Sequence, residues 1–232
     1  YAESLDELRR AGLLFACACS RAEIARRGRP GPEGRIYPGT CRAGLPTEHH
    51  ARALRIRIDG AAVGFQDRFQ GHIRQDLEQE VGDFVVRRAD GVHAYQLAVV
   101  VDDAHQRITQ VVRGADLVLS TPRQIYLQRM LGLPTPEYAH LPVALDAAGR
   151  KLSKSEDAAP VDPRNPLPSL LRAWTFLNQE SFPEQPVNLH EFWRHALANW
   201  QHERIPAVRG KPAQATETAL GFATQTAAVM FR

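Results

Sequence analysis

Segments with the two-residue period of β-strands alternate with segments that have helical signals through the middle of the chain. "ITQVVRGADL" (108–117) predicts a strand, and "STPRQIYLQRMLGLP" (120–134) predicts a helix capped by Ser120 or Thr121. Further strands are predicted at "LLFACACS" (13–20), "ALRIRID" (53–59) and "DFVVRR" (83–88). Because helices that alternate with strands cover the faces of a shared sheet, the chain is predicted to have an α/β fold with a mainly parallel core.

Other segments give weaker structural signals. Residues 20–50 are rich in Arg, Gly and Pro, which predicts a long and poorly regular excursion, and "YQLAVVVDDAHQR" (95–107) fits either a helix or a strand. Two amphipathic helices are predicted at 168–179 and 189–200, where Trp174, Trp193 and Trp200 are expected to be core residues. Beyond residue 206 the composition changes to Ala, Thr and Gln, which is typical of a loosely held tail.

The overall composition is that of an ordinary globular protein. Of 232 residues, 44% are hydrophobic, and the formal net charge of +3 permits a polyanionic partner without requiring one. No apolar run approaches the roughly 20 residues that a membrane-spanning helix needs, so no membrane partner is expected. Three cysteines are too few for a disulfide framework in a chain of this length, which favours a cytoplasmic location.

Lysine is rare in this chain, yet two lysines lie three residues apart in "GRKLSKS" (149–155). The chain has three lysines and 26 arginines, and the pair consists of Lys151 and Lys154. An ammonium group is a compact, mobile charge that can follow a phosphate group as it moves. Two such groups in one loop would neutralise the charge on a departing pyrophosphate. The alternative is a solvated basic loop.

Two other sets of residues have ligand-binding chemistry. Cys17, Cys19 and Cys41 fit a structural zinc site, although buried thiols explain the same pattern. Arg113, at the end of a predicted strand, could hold a carboxylate with its planar guanidinium, or it could form a salt bridge with Asp102 or Asp103. The nine histidines show no metal-binding spacing, and most are expected at the surface.

Several of these segments together resemble the glutamyl-tRNA synthetase group of class I aminoacyl-tRNA synthetases. "KLSKS" is similar to the KMSKS motif of class I, and "AYQLAVVVDD", "VVRGADL", "STPRQIYL", "LGLPTPEYAHLP" and "GRKLSKS" occur in the order typical of the group. The resemblance extends from about residue 1 to residue 206. It is strongest to the short subfamily whose members attach glutamate to queuosine in tRNA(Asp), because only about 75 residues follow the lysine loop.

The resemblance implies a fold and a set of functional residues. The fold would be α/β: a partial Rossmann-type class I catalytic domain with a zinc-bearing insertion and a short C-terminal helical domain. Lys154 and Lys151 would be catalytic, and with Ser153 they would bind ATP. Tyr95 and Arg113, 18 residues apart, match the tyrosine and arginine that bind glutamate in the family. Zinc would be held by Cys17, Cys19, Tyr37 and Cys41, with His49 or His50 as rivals for the fourth position.

The resemblance also implies a domain organisation. We expect a remnant of the first Rossmann half at 1–12, the zinc-bearing insertion at 13–88, the second half at 89–155, a helical domain at 156–206 and a flexible tail at 207–232. The HIGH-like motif of the family does not occur in the sequence. The sequence is therefore expected to lack part of the ATP and glutamate sites, and this segment alone is predicted to be inactive.

The implied function is the activation of glutamate with ATP and its transfer to RNA. The implied partners are glutamate, ATP with Mg²⁺, a structural Zn²⁺ and the anticodon arm of tRNA(Asp), with the protein acting as a monomer. Arg21, Arg26, Arg27, Arg29 and Arg42, all near the cysteines, would contact phosphates. Two alternatives stay open: an ordinary glutamyl-tRNA synthetase, and a zinc-bearing module that binds tRNA without catalysis.

Overall fold

The computed structural model describes residues 1–45, 50–152 and 160–213, together with the backbone of 229–230. Its α-helices are α1 (Ala2–Arg10), α2 (Arg21–Arg27), α3 (Leu77–Glu80), α4 (Tyr95–His105), α5 (Thr121–Met130), α6 (Leu167–Phe176) and α7 (Leu189–Asn199). The strands are β1 (Leu14–Cys17), β2 (Arg29–Gly31), β3 (Gly34–Ile36), β4 (Ala53–Ile56), β5 (Ala62–Asp67), β6 (Gly71–Asp76), β7 (Phe84–Arg87), β8 (Gln110–Gly114), β9 (Glu137–Leu141), β10 (Val143–Leu145), β11 (Gly210–Pro212) and β12 (Val229–Met230). Helices and strands alternate from α3 to β9, as the sequence predicts for the middle of the chain, whereas β2 to β6 are consecutive strands.

The largest sheet is mixed, with the order β12-β8-β9-β5-β6. Strands β8 and β9 are parallel and in register from Gln110↔Glu137 to Gly114↔Leu141, so the parallel core is confirmed at the centre of the sheet. The β5–β6 hairpin, which the sequence analysis missed, joins β9 through the parallel pair Asp67↔Tyr138. This pairing brings the end of β5 beside the end of β9.

Smaller sheets surround this one. Strands β1, β4 and β7 form an antiparallel sheet. Strands β2 and β3 form a hairpin, and β10 pairs with β11 in parallel. The segment 20–45 is thus more regular than predicted, since it holds α2 and the β2–β3 hairpin. Helix α2 begins with a capping box, in which the Ser20 hydroxyl accepts from the Glu23 N–H and Glu23 accepts from the Ser20 N–H.

The predicted side-chain cap of α5 is wrong. The helix does begin at Thr121, with a proline in its first turn. However, a 3₁₀ helix over Ala115–Ser120 runs directly into it, and the helical backbone of Ser120 (φ −77°, ψ −26°) prevents the extended geometry that a capping residue needs. The Ser120 and Thr121 hydroxyls therefore contact other side chains, and that of Thr121 lies at the functional site described below.

The main core lies between the mixed sheet, the β1-β4-β7 sheet and the helices α1, α4 and α5. It includes the fully buried Leu8, Ile56, Leu97 and Leu127. A second apolar cluster between α6 and α7 is centred on Trp174, which is 5% exposed. Trp193 and Trp200 are 49% and 46% exposed, so their predicted core positions are wrong. They border a groove between α6 and α7.

Among the residues that the structure describes, no helix combines the length and the apolar character needed to cross a lipid bilayer.

Leu127 provides a test of the main core. Replacing this buried side chain by alanine is expected to lower the free energy of unfolding by about 2–5 kcal/mol, because it leaves a cavity among packed neighbours. Met130 lies on the same helix but is 36% exposed, so Met130→Ala should change stability by less than about 0.5 kcal/mol. Urea denaturation followed by circular dichroism measures both variants. Equal losses would contradict the assignment of the buried face of α5.

Candidate functional site

A buried arginine lies at the end of the central parallel strand. Arg113, in β8, is 5% exposed, and the atoms around its guanidinium are neutral acceptors. Its Nε donates to His140 Nε2 (3.0 Å), and its NH2 nitrogen donates to Thr121 Oγ1 (2.8 Å) and Gln124 Oε1 (2.7 Å). Within the described residues no ion pair joins Arg113 to Asp102 or Asp103, and Asp102 instead accepts from the Tyr1 hydroxyl. In the described part of the chain, the guanidinium of Arg113 is therefore not paired directly with a carboxylate, although its charge acts on the nearby Asp103.

Tyr95 stands at the open corner of this guanidinium. The remaining nitrogen of Arg113, NH1, lies 3.4 Å from the Tyr95 hydroxyl, and the Tyr95 residue is 49% exposed. The structure thus brings together the two residues that the sequence analysis paired. Tyr95 is the first residue of α4, whose first turn also carries Gln96. The Gln96 side chain accepts from Gln124 Nε2 (3.0 Å), so the oxygen of the Gln124 amide faces Arg113.

The sequence analysis missed a carboxylate–imidazole pair behind Arg113. The side chains of Asp67 and His140 are both fully buried, and Asp67 Oδ2 lies 2.5 Å from His140 Nδ1. Asp67 Oδ1 also accepts from the backbone N–H groups of Phe69 (3.0 Å), Gln70 (2.9 Å) and His140 (3.2 Å). His140 lies in the "EYAHLP" segment, which is part of the family resemblance, so the resemblance could have indicated this residue. Asp67 has a weaker signal, because it only ends a segment with the two-residue period of a strand.

Hydrogen bonding decides the ionisation of Asp67. Burial alone would raise the pKa of this carboxyl group, but the hydrogen bonds from His140 and from the backbone of Gln70 and Phe69 favour the charged form more strongly. The pKa of Asp67 therefore lies below its ordinary value. The carboxylate of Asp67 is thus stable in its ionised form inside the sheet, and the His140 imidazole lies between it and the guanidinium of Arg113.

The lysine loop is described only at its start. Lys151 Nζ forms an ion pair with Asp116 Oδ2 at 2.6 Å, and both side chains are about one-third exposed. The backbone N–H of Leu152 donates to the Ala144 carbonyl, which ties the loop to β10. Ser153 and Lys154 lie outside the described residues. Asp116 follows β8 in the 3₁₀ helix, so Lys151 and Arg113 are attached to the same end of the mixed sheet.

The three cysteines and Tyr37 form a second candidate site. The Sγ atoms of Cys17, Cys19 and Cys41 all lie within 4.8 Å of one another, and Cys19 and Cys41 are 3.7 Å apart. The Tyr37 hydroxyl is 3.5 Å from Cys17 Sγ and 3.8 Å from Cys19 Sγ. A tetrahedral zinc ion with Zn–S bonds of about 2.3 Å places its sulfur ligands roughly 3.7–3.8 Å apart. All three cysteines are free thiols, so the geometry and chemistry of the four side chains fit zinc.

The electrostatics of this cluster also favour a bound cation. The pKa of Cys19 is raised to about 11, mainly by burial and also by the neighbouring Cys41 and Cys17 thiols, against a lowering effect of the hydrogen bond with Tyr37. Burial would also raise the pKa of Cys41, but hydrogen bonds from the Ala18 N–H and the Tyr37 hydroxyl lower it below the ordinary value. Three thiolates this close would repel one another, so ionisation of the whole set requires a positive charge between them.

Arg55 provides part of that positive charge. This residue of β4 is 8% exposed, its Nε lies 3.3 Å from Cys17 Sγ, and its guanidinium carbon lies 4.0 Å from the centre of the Tyr37 ring. Its NH1 donates to the Asp83 carbonyl, which fixes the guanidinium in place. Of the two rival histidines, His49 lies outside the described residues, and His50 is exposed and is not in the cluster.

Acid denaturation tests the Asp67–His140 pair. Because the folded-state pKa of Asp67 is lowered, its ionised form contributes stability above the ordinary aspartate pKa of about 3.9, and this contribution is lost as the pH falls through the lowered value. Wild type should thus have a larger free energy of unfolding than Asp67→Asn at neutral pH, and this difference between the two proteins should become smaller below about pH 4. Urea titrations at stepped pH values measure this difference.

Asp83 provides a control of opposite sign. It is also buried and accepts a backbone N–H, from Ile58, but burial dominates and raises its pKa. The stability of wild type relative to Asp83→Asn should therefore improve as the pH falls toward the ordinary aspartate value. If the stability of wild type relative to Asp67→Asn and relative to Asp83→Asn changed in the same direction with pH, the assigned environment of Asp67 would be wrong.

Known proteins resemble the chain in both sequence and fold. It is 52% identical over 210 residues to the glutamyl-Q tRNA(Asp) synthetase of Dechloromonas aromatica, covering 89% of this chain and 69% of that protein. It is 50% identical over 207 residues to the protein of the same name from Aromatoleum aromaticum, covering 89% and 65%. The solved glutamate-tRNA synthetase of Elizabethkingia anophelis matches with a TM-score of 0.67 and 17% identity, over 92% of this chain and 51% of that structure.

The family model supports the same grouping. Residues 2–165 match the model described as "tRNA synthetases class I (E and Q), catalytic domain". The mixed α/β architecture and the likeness to the solved synthetase agree with this match. Since the match covers most of the chain, the protein belongs to the class I tRNA synthetases of the glutamate and glutamine group.

Proposed function

We propose that the protein activates glutamate with ATP and transfers the glutamyl group to queuosine in tRNA(Asp). The observation that carries the proposal is the buried guanidinium of Arg113, which has neutral acceptors on two nitrogens and an open corner beside Tyr95. A desolvated cation of this kind is a suitable partner for a carboxylate. The identity of about one half to relatives named glutamyl-Q tRNA(Asp) synthetase supports this substrate. The proposed location is the cytoplasm, as the small number of cysteines suggests.

The proposed reaction has two steps. The α-carboxylate of glutamate attacks the α-phosphorus of ATP, which forms glutamyl-adenylate and releases pyrophosphate. A hydroxyl group of queuosine then attacks the activated carbonyl, which forms an ester and releases AMP. Arg113 and Tyr95 hold glutamate. Lys151, Ser153 and Lys154 bind ATP, which carries Mg²⁺. The two lysines also stabilise the negative charge that develops on the pyrophosphate. The Asp116 carboxylate beside Lys151 supports this role, because it holds that ammonium at the start of the loop.

Zinc has a structural role in this proposal. The ion would be held by Cys17, Cys19, Cys41 and Tyr37, and it would tie together the segment that contains α2 and the β2–β3 hairpin. Arg21, Arg26, Arg27 and Arg29 of that segment are exposed and suit contacts with RNA phosphates. Arg42 is less suitable than the sequence suggested, because it is engaged in ion pairs with Asp59 and Asp83.

The RNA specificity can be tested with the protein encoded by the complete gene. We expect labelled glutamate to be attached to tRNA(Asp) that contains queuosine, while tRNA(Glu) stays unlabelled. The same tRNA(Asp) from cells that cannot make queuosine is the matched control and should accept nothing. Labelling of tRNA(Glu) at its 3′ end, with tRNA(Asp) blank, would instead identify an ordinary glutamyl-tRNA synthetase.

The zinc site can be tested by elemental analysis. Protein purified with supplemented zinc should contain about one zinc ion per chain. Cys41→Ser should lose it because this change removes one of the three thiolates, the strongest ligands of the set, whereas Tyr37→Phe leaves all three thiolates in place. Tyr37→Phe should retain zinc with an affinity reduced by about tenfold or more. The double variant His49→Ala/His50→Ala is the control and should bind zinc as wild type does. Loss of zinc in that control, with full retention in Tyr37→Phe, would assign the fourth ligand to a histidine.

A further inference from the structure

Asp67, His140 and Arg113 form one continuous buried chain of hydrogen bonds. Asp67 Oδ2 and His140 Nδ1 are 2.5 Å apart, and His140 Nε2 and Arg113 Nε are 3.0 Å apart. Both side chains of the Asp67–His140 pair are fully buried, and the Arg113 residue is 5% exposed. Burial of charged groups is costly without compensation, so the three groups depend on one another.

The hydrogen-bond pattern assigns the imidazole tautomer. Arg113 has only donors, so His140 Nε2 must present its lone pair to Arg113 Nε. The ring proton therefore lies on Nδ1, where it is donated to Asp67. Asp67 cannot rotate away, because its other oxygen accepts three backbone N–H groups, from Phe69, Gln70 and His140. The carboxylate thus fixes both the proton and the orientation of the ring.

This arrangement determines which part of Arg113 is free. Nε is held by His140, and the NH2 nitrogen is held by Thr121 and Gln124. NH1 has a single long contact of 3.4 Å, to the Tyr95 hydroxyl. The guanidinium plane is therefore clamped along two edges, and its NH1 corner points toward the partly exposed tyrosine. A clamped group loses less conformational freedom when it binds a ligand.

We infer that Asp67 is a positioning residue for substrate binding, which acts through His140 to hold the Arg113 guanidinium with its NH1 corner toward the carboxylate of the bound amino acid. The inference rests on the proposed function for the identity of that amino acid. Asp67 ends β5 of the β5–β6 hairpin, and its position beside β9 follows from the parallel pair Asp67↔Tyr138. The hairpin thus contributes to the substrate site indirectly, through Asp67. Among the residues that the structure describes, no hairpin residue forms a hydrogen bond with Tyr95.

Asp67→Asn tests the inference directly. An asparagine amide of the same shape can donate to His140 Nδ1, which would move the ring proton to Nε2 and direct it at Arg113. We expect the ¹⁵N spectrum of His140 to show protonated Nδ1 in wild type and protonated Nε2 in the variant, with His140→Gln used to assign the signals. In glutamate-dependent pyrophosphate exchange by the protein encoded by the complete gene, the KM for glutamate should rise by about 10- to 100-fold, and the KM for ATP should stay within about twofold.

Three further variants separate positioning from simple loss of stability. His140→Gln keeps a donor for Asp67 and an acceptor for Arg113, so its KM for glutamate should stay much closer to wild type than that of His140→Leu. Asp83→Asn removes another buried carboxylate, which lies outside this chain of hydrogen bonds, and should leave the KM for glutamate unchanged. Each variant is first checked for a native circular dichroism spectrum.

Several results would overturn the inference. A wild-type His140 protonated on Nε2 would do so, and so would a KM for glutamate within about twofold of wild type in Asp67→Asn. Absence of glutamate-dependent exchange in wild type would instead contradict the proposed function. In that case the chemical shift of the Arg113 Nε–H group decides the role of Asp67. A changed shift in Asp67→Asn, with no change in Asp83→Asn, supports the positioning role. An unchanged shift in Asp67→Asn overturns the inference.

Discussion

The need to hold the charge of Arg113 inside the protein shapes the arrangement around the mixed sheet. The guanidinium of Arg113, a residue that is 5% exposed, must find acceptors for its N–H groups within the protein, and four acceptors come from three different elements. β9 contributes His140, α5 contributes Thr121 and Gln124, and α4 contributes Tyr95. These contacts require that β8 and β9 be parallel and in register, which brings Arg113 directly opposite His140. The site is therefore built into the packing of the core and is not added on surface loops.

The segment that contains the cysteines is held together in a different way. Its apolar cluster consists of Phe15, Cys17, Ala18, Tyr37 and Cys41, which is a small core for the chain between β1 and β4. The Tyr37 hydroxyl accepts the Cys41 N–H at 2.8 Å, and the side chain of Arg55 spans from Cys17 to the Tyr37 ring. These polar contacts already bring the sulfur atoms to within coordination distances, so a metal ion would stabilise an arrangement that the protein side chains favour.

Local patterns in the sequence predicted the elements whose residues alternate or repeat within a short window. β8, α5 and the cysteine–tyrosine set belong to this class, since their positions are fixed by period or by motif. Asp67 and His140 are 73 positions apart, and no local pattern indicates that two strands bring them to a distance of 2.5 Å. The cap of α5 failed for a related reason, because the preceding 3₁₀ helix and the contact of Thr121 with Arg113 are both consequences of tertiary packing. Long-range pairing of strands thus explains why the Asp67–His140 pair was missed, whereas the β5–β6 hairpin, which was also missed, pairs strands that are neighbours in the sequence.

The position of the β5–β6 hairpin links the two candidate sites. Along the chain, the hairpin lies within 13–88, the range that the sequence assigned to an insertion, but its first strand hydrogen-bonds to β9 of the mixed sheet. β4, which carries Arg55 of the cysteine cluster, precedes that hairpin by only a short connection. β4 and β5 belong to different sheets, so this short connection is where the chain passes from the sheet beside the cysteine cluster to the sheet that carries Asp67 and Arg113. The two candidate sites are therefore adjacent along the chain although each is held by the packing of its own sheet.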